Sequence, residues 1–216
     1  MNRVILSAST DETILAVTRQ HKLVDLEIEQ QINTEIVGCI YKGVVKNIVP
    51  AVDGIFVDIG IGKNAFLRRK DLLNEKRFPT EGSPILAQVI KSDTDMKGAL
   101  ITEKISMFGK YAVTLSGTGY IGVSKKIRQE SVRKRLKEIG KEICAEHMGL
   151  IIRTAAENAD MDEFRKDITR LKENWDIIQK RFRMEKSPTL LYRESDIIVK
   201  ALRDYVNKGT EILITD

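Results

Sequence analysis

The rhythm of apolar and polar positions changes twice along the chain, and each change marks a different kind of structure. Val4-Ile5-Leu6, Thr13 to Thr18 and Leu23 to Ile28 are short apolar-rich runs, separated by polar turns over residues 9–12 and 19–22. The third run alternates apolar with acidic side chains, the period-two pattern of a strand with one covered face. Together they predict a β meander, and the polar stretch 29–35 predicts a boundary near residue 35. From Gly38 to about Ile105 short β-type runs alternate with glycines: Val44 to Val49, Gly54 to Ile59, Ala65 to Leu67, Pro84 to Lys91 and Ala99 to Thr102. Five short strands with no room for crossover helices predict a small closed or nearly closed antiparallel barrel, with the oligonucleotide-binding (OB) barrel as the leading architecture.

Beyond Phe108 the period lengthens. Helices are predicted over residues 124–146, 160–185 and 195–207, with strands at 149–154 and 189–192 between them. Ser124 and Ser195 are expected as N-caps, because a short side-chain oxygen can accept the free N–H groups of a first helical turn. Residues 108–208 therefore read as an α+β unit wrapped onto the barrel. The run Glu211 to Asp216 reads as a strand that stops abruptly, as a cut inside a domain would leave it. The fold class is α+β.

Composition narrows the setting. With 216 residues, 42% hydrophobic and 31% charged, the chain can bury one sizeable core or two small ones. Lys and Arg number 36 against 31 Asp and Glu, a net charge of +5 whose placement matters more than its size. Cys39 and Cys144 stand far apart among core-like neighbours, and His21 and His147 have no Cys or paired acid at ligand spacing, so no metal site is signalled. The N-terminus turns polar within a few residues, leaving no apolar core for a signal peptide or membrane span. A reduced, cytoplasmic, soluble protein with no membrane partner is expected.

Several residues could carry chemistry. Phe56 and Phe66, on neighbouring barrel strands, could share one outer face and stack bases while Lys42, Lys46 and Lys63 neutralise phosphates; equally, both rings could lie in the core. Residues 125–137 hold seven cations against one acid, either a solvated helix face or a surface that attracts a polyanion, with Ile127, Val132, Leu136 and Ile139 left to pack inward. Leu171, Trp175, Ile178 and Phe182 recur at helical spacing and read as core. Arg153 ends a strand, where it could pair with Glu157 or Asp160 or offer its fork of donors to a phosphate. Asp58 reads as an acceptor for turn N–H groups, and residues 114–120 as a short Gly-rich loop.

The run Gly43-Val44-Val45-Lys46-Asn47-Ile48, then Gly54-Ile55-Phe56-Val57-Asp58-Ile59-Gly60 and Ala65-Phe66-Leu67, resembles the S1 RNA-binding version of the OB barrel. Its context narrows the match: Ile40-Tyr41-Lys42-Gly43 before it, Lys97-Gly98-Ala99 after it, Gly122 to Ile127, and Gly149-Leu150-Ile151-Ile152-Arg153-Thr154-Ala155. Across essentially the whole chain this order resembles the N-terminal half of the ribonuclease E/G family. The resemblance implies that Phe56, Phe66 and Lys97 line a surface for RNA. It implies that Arg153 and Thr154 form a pocket for a 5′ monophosphate, shaped by Gly109 and Val113. The implied partner is single-stranded RNA carrying a 5′ monophosphate.

The same resemblance divides the chain into an S1 domain (36–107), a 5′-sensor unit (108–208), and pieces of an incomplete ribonuclease H-like domain (1–35 and 209–216). A hydrolase of this family is expected to use Mg²⁺ held by aspartates, and a Cys-rich zinc linkage, both downstream of Asp216. No catalytic or metal-binding residue is assigned within this chain, which is expected to bind RNA without cutting it. The free edges of an incomplete sheet lead to an expected homo-oligomer. A generic S1 module, free or associated with the ribosome and without 5′-end sensing, is the alternative.

Overall fold

The computed structural model describes residues 2–30, 36–144, 148–194, 196–206 and 209–215. In chain order the strands are β1 (Asn2–Ala8), β2 (Glu12–Arg19), β3 (Lys22–Gln30), β4 (Ile40–Val49), β5 (Gly54–Asp58), β6 (Ala65–Arg68), β7 (Pro84–Lys91), β8 (Leu100–Thr102), β9 (Ser106–Phe108), β10 (Ala112–Ser116), β11 (Ile121–Val123), β12 (Met148–Ile152), β13 (Thr189–Tyr192) and β14 (Thr210–Thr215). The helices are α1 (Glu130–Ile143), α2 (Met161–Met184) and α3 (Ile197–Asp204). They form two compact units, Met1–Ile36 with Glu194–Asp216, and Val37–Arg193.

In the first unit the expected meander is a sheet of order β14-β1-β2-β3, with β14 parallel to β1. Alternation puts Val4, Leu6, Leu15 and Val17 on one face, where Ile197 and Ala201 of α3 cover them. These contacts place α3 with the first sheet, although its sequence position groups it with residues 108–208. In β3 the alternation is present with its sense reversed. Asp25 and Glu29 lie on the helix-covered side, where Asp25 accepts from the Tyr205 hydroxyl and Glu29 accepts the Ile197 N–H at 3.2 Å. Leu26 and Ile28 are instead 52% and 57% exposed. Polar groups of a covering helix need acceptors, and acidic side chains on that face supply them. Ser195, expected to cap this helix, lies outside the described residues; Asp196 is the cap, its carboxylate accepting the Val199 N–H at 2.9 Å.

In the second unit the five expected strands form the barrel, in order β4-β5-β6-β8-β7 and closed by β7 on β4. Its pairing is mixed, because β6 and β8 run parallel. Val45, Ile55, Val57, Leu67, Ala87, Val89 and Ile101 fill the interior. Strand β13 extends the barrel sheet by pairing with β4.

Behind the barrel lies a second sheet of order β11-β12-β10-β9, against which α1 and α2 pack through Leu136, Ile139, Leu150, Ile152, Phe164 and Ile168. Ile40 and Leu86 of the barrel join this core, as do partly buried Trp175 and Phe182. Strands β9 to β11 have three to five residues each and gave no pattern in the sequence. Part of the expected loop 114–120 is the end of β10.

The helix expected from Ser124 begins at Glu130, and its N-cap Gln129 makes no side-chain capping bond. The stretch 124–129 before it is held in a turn by Arg133, whose guanidinium donates to the carbonyls of Ser124 at 2.7 Å and Ile127 at 2.9 Å. The long helix matches closely, with Asp160 as cap accepting from the N–H groups of Asp162 and Glu163. Among the described residues no helix is long and apolar enough to cross a membrane.

Candidate nucleic-acid interface

Phe56 and Phe66 are direct cross-strand partners on β5 and β6. Their neighbours Ile55, Val57, Ala65 and Leu67 are sealed in the barrel, so alternation turns both rings to the outer face, where they are half-buried. The ring centroids stand 5.4 Å apart at 51°, a tilted pair. A Cβ on Gly54 would lie 2.3 Å from the Phe66 ring, so glycine there lets that ring lie across β5. The cross-strand row runs from Asn47 through Phe56 and Phe66 to Leu100.

The four barrel lysines are placed differently. Lys97 is exposed on the turn 94–97, closed by mutual backbone hydrogen bonds between Thr94 and Lys97. Lys63 reaches the same turn, its ammonium donating to the carbonyls of Thr94 at 2.9 Å and Asp95 at 3.0 Å. Both therefore belong to the loops that lead into β6 and β8, beside Phe66. Lys46 is exposed and pairs with Asp58 at 3.3 Å, while the other Asp58 oxygen accepts the Gly60 N–H at 2.9 Å, the turn role expected for it. Lys42 does not stand on this surface as a loose cation. Its ammonium donates to the carbonyls of Phe182 at 2.7 Å and Glu185 at 2.6 Å, satisfying the end of α2, and lies 5.0 Å from the Phe182 ring.

The other four expected residues lie at one end of the two inner strands of the second sheet, Gly109 and Val113 at the start of β10 and Arg153 and Thr154 directly after β12. Arg153 follows β12, its N–H bonded to the Tyr111 carbonyl at 2.7 Å and its guanidinium to the Gly109 carbonyl at 2.8 Å. The Gly109 turn is held from α2, where the Asp167 carboxylate accepts the N–H groups of Lys110 at 3.2 Å and Tyr111 at 2.8 Å. A Cβ on Gly109 would lie 2.5 Å from that carboxylate, which explains the glycine. The Tyr111 hydroxyl donates to Glu163 at 2.7 Å; burial, and then this bond and the nearby acids, push its pKa up to about 12. Val113 pairs with Phe108 on one side and Ile151 on the other, and those two are 44% and 40% exposed, so an apolar row crosses the sheet beside Arg153.

Thr154 is exposed, and its hydroxyl oxygen lies 3.0 Å from that of Ser124. Ser124 was legible in the sequence only as a helix cap; its place beside Thr154 follows from β11 running parallel to β12, which no local pattern reveals. Lys125, Lys126, Arg128, Lys134, Arg135 and Lys137 are exposed, whereas Arg133, turned inward to the backbone, leaves the basic surface. Among the described residues no group of His, Cys, Asp and Glu is arranged to hold a metal ion. His147 lies outside the described residues.

Known proteins share this arrangement of segments. Residues 34–102 match the family model of the S1 RNA binding domain, and residues 106–216 match that of the Ribonuclease E/G family. Ribonuclease G of Escherichia coli (strain K12) is 33% identical over 230 residues, covering 99% of this chain and 47% of the relative. Ribonuclease E of Buchnera aphidicola subsp. Schizaphis graminum is 32% identical over 232 residues, covering 99% and 24%. Ribonuclease E of Synechocystis sp. is 32% identical over 200 residues, covering 88% and 30%. The chain thus spans less than half the length of these relatives. With more than half of its residues matched by that family's model and the S1 barrel before it, the chain belongs to the ribonuclease E/G family.

Proposed function

We propose that this chain is the RNA-gripping part of an endoribonuclease, holding single-stranded RNA on the barrel and a 5′ monophosphate at one end of the inner strands of the second sheet. Phe56 and Phe66 offer two adjacent faces for unpaired bases, each stacked base contributing on the order of 1–3 kcal/mol. Lys97 and Lys63 supply charge for the backbone between them. At the end of β12 the Arg153 guanidinium provides parallel donors for two phosphate oxygens and the Thr154 hydroxyl a further one. Gly109 and Val113 shape the wall, and the exposed cations of the 125–137 segment raise the local concentration of a polyanion. In the parent enzyme's hydrolysis of RNA, this stretch positions the substrate and supplies no catalytic residue of its own.

The observation that carries this reading is the bond from the Arg153 guanidinium to the Gly109 carbonyl, which sets Arg153 beside the start of β10, with Thr154 next to it in the chain at the end of β12. The test is the affinity of one single-stranded oligonucleotide prepared with a 5′ phosphate and with a 5′ hydroxyl. Tighter binding of the phosphorylated form is expected. Equal binding of the two would leave a generic S1-type binder.

A further inference from the structure

Ser124 is not part of a helix, yet three elements fix it. Its N–H donates to the Ile152 carbonyl at 2.8 Å, continuing the parallel pairing of β11 with β12, and its own carbonyl accepts from Arg133 at 2.7 Å. Its hydroxyl oxygen accepts the Lys126 N–H at 3.3 Å and stands 3.0 Å from the hydroxyl oxygen of Thr154. A serine hydroxyl has one proton and two lone pairs. The Lys126 N–H occupies one lone pair, and the Thr154 oxygen is in reach of the Ser124 proton, the arrangement that leaves the Thr154 proton free. If Ser124 donates to Thr154, the Thr154 proton must point elsewhere, and Thr154 is an exposed residue.

From this geometry we infer that Ser124 is a positioning residue that sets the Thr154 hydroxyl as a hydrogen-bond donor toward a terminal phosphate. The chain of donors runs from the Lys126 N–H through Ser124 and Thr154 to a phosphate oxygen, each link strengthening the next. A phosphate dianion accepts and does not donate, so a threonine whose proton is already directed outward binds it without reorganisation. A terminal hydroxyl gains little from the same arrangement. The effect of Ser124 is therefore on discrimination between 5′ ends and not on affinity for RNA in general. This inference rests on the 5′-phosphate reading of Arg153 and Thr154.

The test compares the 216-residue chain with Ser124→Ala, Ser124→Thr and Arg153→Ala, using the same oligonucleotide with 5′ phosphate and 5′ hydroxyl and recording thermal stability for each protein. Ser124→Ala is expected to lower the phosphate-to-hydroxyl affinity ratio about fivefold, the size of one hydrogen bond. Binding of the hydroxyl form and the melting temperature should hold, and Ser124→Thr, which keeps the hydroxyl, should restore the ratio. A wild-type ratio in Ser124→Ala, with a collapsed ratio in Arg153→Ala, would overturn the inference while leaving the phosphate reading intact. So would equal weakening of both ligands, or failure of threonine to rescue. A ratio of one in the wild type would remove the phosphate reading itself.

Discussion

On the barrel, Phe56 and Phe66 project from regular strands and the nearby cations sit on exposed loops; at the strand ends of the second sheet, Arg153, Thr154 and Ser124 are each bonded to backbone or to one another. The rings of the first surface are set by strand alternation and pair with each other, and its cations stand on loops beside them. The second is a network in which Asp167 holds the Gly109 turn, that turn bonds Arg153, and the strands bring Ser124 to Thr154. Changes on the barrel should therefore scale affinity for any single strand. Changes at the second surface should act on one kind of 5′ end.

The largest expected effect comes from Phe56→Ala with Phe66→Ala, which removes both stacking faces and should weaken binding by roughly 2–6 kcal/mol. Titrations should show the loss equally for phosphorylated and hydroxyl ends; a loss confined to one would break the division between the surfaces. Next is Gly109→Ala. The added methyl meets the Asp167 carboxylate, itself held by two N–H groups, so the turn must shift. Denaturant unfolding should register about 1–3 kcal/mol of destabilisation, an ordinary overpacking cost, and the preference for a 5′ phosphate should fall with it.

A smaller effect is expected from Tyr111→Phe, which removes the bond to Glu163 and should cost about 1 kcal/mol. The Tyr111 pKa is raised in the folded state above its ordinary value of 10, to about 12. The associated stability is thus fully present below about pH 10 and lost as pH rises through about 12. Ultraviolet difference titration should lose one late-ionising tyrosine in the variant, and loss of one that ionises near pH 10 instead would show that Tyr111 is not shifted in the fold.

Much of the barrel could be read from the chain because each of its strands is covered on one face, so Ile55, Val57 and Leu67 alternate with Phe56 and Phe66. Strands β9 to β11 could not be, because three to five residues carry too little periodicity. The acidic side of β3 was legible as alternation, but its direction depends on Tyr205 and Ile197, far along the chain. Lys42 and Ser124 teach the same lesson: Lys42 finds the end of α2, and Ser124 finds Thr154, through tertiary contacts that local spacing does not contain.

The proposed function turns on the Arg153 guanidinium, at the end of β12, reading a terminal phosphate. A double-mutant cycle tests it most directly, removing the guanidinium with Arg153→Ala and the phosphate by using the 5′-hydroxyl oligonucleotide. A coupling of about 1.5–3 kcal/mol is predicted, the worth of a charge-assisted bond. A coupling of zero, with phosphate removal equally costly in wild type and variant, would contradict the account.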